Sequence, residues 1–75
     1  MKYKVLSKKE CARALKELRV NAGVSQALLA SKTGISRAQI AMIETGKSLP
    51  SIGFAQKIAL YFEVAPWSFF YSDVA

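Results

Sequence analysis

Helix start and stop signals recur along this chain at intervals short enough to exclude most folds. Ser7 and Glu10 have the spacing of a capping box, in which each side chain bonds the other's backbone N–H. The pattern predicts a first helix from Ser7 to about Asn21, with Gly23 supplying the left-handed residue that ends it. Ser25 predicts the cap of a second helix over about 26–32, closed by Gly34; Ser36 predicts a third over about 37–44, closed by Gly46. Pro50 bars continuation at Leu49, Ser51 then caps a fourth helix over about 52–62, and Pro66 suits the first turn of a short fifth helix over 66–71. Strand-like alternation is absent, although residues 3–6 have the makings of an edge strand in an assembly. The expected class is all-α, with five helices in one domain over residues 8–75 and a basic N-terminal arm at 1–7.

Composition narrows the chemistry. At 75 residues the core is thin, since a chain near this size buries only about 60% of its unfolded surface. There is no histidine and one cysteine, so a zinc site lacks its ligands and a hydrolytic triad lacks its usual base. No catalytic constellation, cofactor or small-molecule ligand is expected. Cys11 has no partner for an internal disulfide, reads as structural, and fits a reducing cytoplasm. The first six residues lack the apolar run of about 7–15 residues of a signal peptide, and no apolar stretch reaches the ~20 residues of a membrane span.

Eleven Lys and Arg against five Asp and Glu leave a net charge of +6, unevenly placed. Residues 1–25 carry seven cations and two Glu, residues 26–50 three cations and Glu44, and residues 51–75 Lys57 against Glu63 and Asp73. Such asymmetry points to one end facing a polyanion and the other end doing something else. Lys2, Lys4, Lys8 and Lys9 read equally as a mobile arm tracking a nucleic-acid backbone or as a solubilising terminus.

Helical periodicity assigns faces. In the first helix Cys11, Ala14, Leu15, Leu18 and Val20 fall near one side. Between the second and third helices, small Ala30 and the positive-φ turn at Gly34 allow a steep crossing, with Ile40 and Ile43 filling the angle. At about 100° per residue, Ala38, Ala41, Met42 and Thr45 then point away from Ile40 and Ile43, with Arg37 at the leading edge. That outward face carries one strong bidentate donor, Arg37, suited to guanine, beside apolar Ala38, Ala41 and Met42, suited to thymine methyl groups. Any helical hairpin could use Ala, Gly and Ile in this way; if the pair is a DNA-binding helix-turn-helix, a G·C pair next to an A·T-rich stretch in each half-site is the expected target. Ala41 and Met42 also read as tolerated surface apolars or a protein contact, Arg37 also reads as a solvated first-turn charge, and Gln39 lies to the flank, beside a phosphate or a base edge.

The ordered set Gln26-Ala27-Leu28-Leu29-Ala30, Gly34-Ile35-Ser36-Arg37, Ile40, Ile43-Glu44-Thr45-Gly46-Lys47 and Pro50-Ser51 closely resembles the Cro/phage-repressor (XRE-type) helix-turn-helix family. Leu18-Arg19 and Gly23 before it, and Ile58-Ala59 and Phe62 to Val64 after it, extend the resemblance over about residues 8–71. It implies a five-helix lambda-repressor-like domain whose third helix enters the major groove of double-stranded DNA while the second crosses the backbone. It further implies backbone contacts from Gln26, which can also buttress the third helix, and from Lys47, which Thr45 is placed to join, and an ion pair between Arg19 and Glu44 that makes Arg19 structural rather than a phosphate ligand. Ser36 joins the backbone set because a helix N-terminus favours an anion. The family often places polar residues where this chain has Ala38, Ala41 and Met42, which shifts weight from base contacts to DNA shape.

The resemblance also implies a symmetric homodimer on a palindromic or pseudo-palindromic operator, with half-sites about 34 Å apart. The fourth helix carries Phe54, Ala55, Ile58, Ala59 and Phe62 as a core stripe, and Val64, Trp67 and Phe70 are expected to complete the core. Leu60, Tyr61, Pro66, Phe69 and Tyr71 exceed what a small monomer covers and are expected at the two-fold axis. The expected role is a cytoplasmic, nucleoid-associated transcriptional regulator, bacterial or phage-encoded, whose sign of regulation stays open. Phage regulator, restriction-modification controller and antitoxin contexts stay open with it. The alternative is an antitoxin or adaptor whose main act is to bind a partner protein through the aromatic C-terminal surface.

Overall fold

The computed structural model describes residues 3–65 and 71–73. In chain order the elements are β1 (Tyr3–Val5), α1 (Lys8–Asn21), α2 (Gln26–Thr33), α3 (Arg37–Glu44), α4 (Ile52–Phe62) and β2 (Tyr71–Asp73). Every helix begins where a serine precedes it. Ser7, Ser25, Ser36 and Ser51 each accept a bond from a backbone N–H three residues on, removing one of the orphan donors of the first turn. Ser7 with Glu10 and Ser36 with Gln39 form complete capping boxes.

Gly34 ends α2 at φ 76°, with its N–H donating to Ala30 O. A Cβ at this glycine would meet nothing within 4 Å, so only the backbone conformation requires glycine here. Gly34→Ala is therefore expected to lower the unfolding free energy by about 1–2 kcal/mol, the cost of a left-handed L-residue. Urea denaturation checks this, and an unchanged midpoint would show that the turn relaxes without strain.

The core comprises Leu15 of α1, Leu29 of α2, Ile40 and Ile43 of α3, and Ala55, Ile58 and Ala59 of α4, closed by Val24 and Ile35 from the turns. α1 and α2 both pack on α3, and α2 also packs on α4. Phe54, Phe62 and Val64 are half-buried against this cluster, whereas Trp67 and Phe70 lie outside the described residues. Cys11 is buried, and that burial, with the nearby Glu10 charge, pushes its thiol pKa up, as befits an inert packing residue.

Three expectations change. Val20 is 58% exposed, and Ala12 is buried in its place. Five residues beyond Leu15, Val20 is rotated about 140° from the core, whereas Ala12 sits about 60° away. Tyr71, expected to end a fifth helix, instead opens β2; residues 66–70 lie outside the described part, so four helices stand among the described residues. β2 runs antiparallel to β1, pairing Tyr3 with Asp73, Lys4 with Ser72 and Val5 with Tyr71. The edge strand expected in an assembly thus finds its partner within the chain. The ladder between them satisfies backbone groups of both strands, which a single edge strand would leave to water. Lys8 and Lys9 belong to the first turn of α1, and Lys4 is a backbone position of β1.

Candidate nucleic-acid interface

α3 presents two faces of opposite character. Inward, Ile40 and Ile43 are 0% and 2% exposed. Outward, Arg37 and Ala38 are exposed, Met42 is 46% exposed, Ala41 is half-buried and Thr45 at the C-cap is exposed. Among the described residues nothing covers Ala38 or Met42 deeply enough to bury either, so both stand on the open side of the helix, with Ala41 half-buried between them. A groove of about 270 Å³ runs beside it, lined by Gln39, Met42, Ser48, Leu49 and Phe54 among others. Sequence reasoning passed over this groove; its one signal was an apolar Leu49 in an otherwise polar turn.

Hydrogen-bond accounting separates residues free to meet a ligand from those already engaged. Ser36 Oγ accepts from Gln39 N and donates to Gln39 Oε1, which also accepts from Ser36 N. The Ser36 hydroxyl is therefore occupied as a cap, while the Gln39 amide N–H groups have no acceptor among the described residues. Thr45 Oγ1 donates back to Ala41 O at 2.9 Å, with Met42 O at 3.2 Å, which commits its single proton to α3. The N–H groups of Gly46, Lys47 and Ser48 likewise close onto Ile43 and Met42 carbonyls. In this loop the exposed Lys47 side chain remains as the available cation. At the starts of α2 and α3, the N–H groups of Gln26, Ala27, Arg37 and Ala38 take no acceptor among the described residues, which makes both helix ends receptive to anions.

Behind this surface three helices are tied at one carboxylate. Arg19 Nε donates to Glu44 Oε2 at 2.7 Å and Arg19 Nη2 to Glu44 Oε1 at 2.9 Å, a bidentate pair; Arg19 Nη1 also donates to Val24 O at 3.0 Å. The bond to Glu44 is the main reason the Arg19 pKa is raised above its ordinary value. Gln26 Nε2 adds a donor to Glu44 Oε1 at 3.2 Å. The first residue of α2 is thus fastened to the last residue of α3, and one Gln26 amide proton is left over.

On the α4 side, Leu60 is 81% exposed. Tyr61 is only half-exposed: it packs against the core and meets Phe62 edge to face, with centroids 5.1 Å apart. Pro66 and Phe69 lie outside the described residues, and Tyr71 is known here only as a β2 backbone position. Among the described residues no three His, Cys, Asp or Glu side chains gather as a metal set, and no helix is long and apolar enough to cross a membrane.

The profile of the family described as HTH_3: Helix-turn-helix matches residues 15–66. Among solved structures, an HTH_3 family transcriptional regulator from Vibrio cholerae is 39% identical with a TM-score of 0.75, over 83% of this chain and 35% of that one. The restriction-modification controller protein C.AhdI from Aeromonas hydrophila is 28% identical with a TM-score of 0.77, over 84% of this chain and 96% of that one. A complex of the SinR and SinI proteins matches at 27% identity and a TM-score of 0.74, over 79% of this chain and 58% of that one. The chain thus spans about a third of the Vibrio cholerae regulator and nearly all of the controller protein. No curated protein matches it.

Proposed function

The chain belongs to the HTH_3 helix-turn-helix family, and from that premise we propose that it regulates transcription as a homodimer on a palindromic or pseudo-palindromic operator. α3 lies in the major groove of each half-site and α2 crosses the backbone. Arg37 reads a guanine, and Ala38, Ala41 and Met42 meet thymine methyl groups. Lys47, the free N–H groups at the starts of α2 and α3, and the remaining Gln26 amide proton hold phosphates; the Gln39 amide N–H groups reach the flank. Ser36 acts through the N-terminal end of α3 that it caps, whereas Thr45, whose proton is committed to Ala41 O, secures the C-terminal end of that helix rather than a phosphate. Leu60, with Tyr61 and the segment through Pro66, Phe69 and Tyr71, supplies the dimer contact. The observation that carries this reading is the exposure of Arg37, Ala38 and Met42 on a helix whose other face is fully buried.

Selecting bound sequences from a random duplex pool tests the proposal: half-sites should recover with two-fold symmetry, about 34 Å between centres. Arg37→Ala is expected to cost about 1–3 kcal/mol and relax preference at one base pair, whereas Lys47→Ala weakens all sequences alike and reduces the salt slope by about 1. Unchanged affinity and preference in the Arg37 variant would remove the assignment of the reading face. The competing adaptor reading draws on the exposed Leu60 surface; it requires strong binding of a partner protein and negligible affinity for every duplex in the pool.

A further inference from the structure

The outer side of α1 carries a charged seam that the DNA-binding reading leaves unused. Lys9, Arg13, Lys16 and Val20 follow one another at i, i+4, i+7 and i+11. That is the spacing of the contact seam in a pair of wound helices, running about 16 Å at 1.5 Å per residue. All four are exposed, Val20 at 58%. None of the three cations takes part in a hydrogen bond or ion pair among the described residues. Glu17, the acidic neighbour on this side of α1, forms no ion pair with Arg13 although it follows by one turn.

The seam also points the wrong way to serve α3. Measured around α1 from Leu15, which faces the core, the four residues lie at about 100–160°. α1 packs on α3 through that core face, so the seam turns away from the helix proposed to enter the groove. Two packed helices are about 8–10 Å apart axis to axis, and side chains on their far faces are separated by more than the ~8–10 Å over which exposed charges act in physiological salt.

We infer that Lys9, Arg13, Lys16 and Val20 form a docking surface for an acidic helix of a partner protein, one with carboxylates at three successive seam positions and an apolar side chain at the fourth. Charge complementarity selects this occupant. A second copy of the same seam is excluded because its cations would face cations. A nucleic-acid backbone matches the charge but offers nothing apolar for Val20, whereas a helix repeats contacts at the same period along the full seam. The surface is independent of which duplex α3 reads, so its test stands apart from the operator experiment.

The test uses the full chain and a capped helical peptide carrying Glu at three seam positions and Leu at the fourth, beside a peptide of identical composition in scrambled order. Amide chemical shifts report where the peptide sits, and fluorescence anisotropy reports affinity. The in-register peptide is expected to perturb residues 9–20 and to bind about tenfold more tightly than the scrambled one. Lys9→Gln, Arg13→Gln and Lys16→Gln combined should weaken it by about tenfold, the sum of three exposed ion pairs. Val20→Ser alone should weaken it a few-fold. All four side chains are exposed, so thermal melts of both variants should match the parent. Duplex affinity of the triple variant should stay within about twofold, reflecting only the long-range loss of charge. Equal binding of the scrambled peptide, shifts mapping elsewhere, no measurable binding, or a triple variant that loses duplex affinity while keeping the peptide would each overturn the assignment; the last would make the seam a DNA contact.

Discussion

Replacing Arg19 by alanine is expected to destabilise the protein by about 3–5 kcal/mol, the cost of leaving one member of a buried pair behind. The Glu44 side chain is only 4% exposed and would keep a single bond, from Gln26, for a full negative charge. Val24 O loses its donor as well. A domain of this length has roughly 4–11 kcal/mol of total stability at 0.05–0.15 kcal/mol per residue, so the loss is a large share of the whole. At about 4–8 °C per kcal/mol, the melting temperature should fall by more than ~12 °C. The double replacement Arg19→Met with Glu44→Leu removes both charges and keeps apolar volume, and should remain closer to the parent than the single variant. Calorimetry on the two variants decides the matter. A single-variant loss under ~1 kcal/mol would mean that water reaches the Glu44 carboxylate once Arg19 is gone.

Ile40→Ala is expected to cost about 3–4 kcal/mol, within the range for truncating a fully buried aliphatic side chain. Ile40 is completely buried and joins α3 to the core shared with Leu15, Leu29 and Ile58, so the cavity opens where the helices converge. Urea titration should show a lower midpoint with an unchanged slope, the mark of lost stability without a change in the surface exposed on unfolding. Ala38→Ser, two residues away on the exposed face, should stay within ~0.5 kcal/mol of the parent. The contrast between neighbours on one short helix separates residues that hold it from residues that face outward. Comparable losses at both positions would mean that α3 is not seated as described.

Helix starts, stops and faces in this chain are set by contacts within a few residues. Each helix start was legible because a serine bonds an N–H three residues on, a contact that needs nothing from the rest of the molecule. The stops at Gly34 and Gly46 were legible because left-handed backbone favours glycine; α4 ends instead at Glu63 with φ 57°, a stop with no such mark. Opposed faces on α3 followed from the helical period alone. The hydroxyl of Thr45 was less legible as a ligand, since its residue type fits a phosphate contact and only the hydrogen bonds reveal it as engaged.

Sequence by itself therefore determined where the four described helices lie and which side of α3 faces the core, because caps, stops and periodicity act over a few residues. Tertiary structure alone decided that the chain's two ends meet as β1 and β2, and that Tyr61 leans on its own core. It also decided that the buttress expected of Gln26 runs through Glu44 and engages one of its two amide protons. These contacts join segments far apart along the chain, and their existence depends on which surfaces remain uncovered after the helices have packed. No local pattern of residues carries that information.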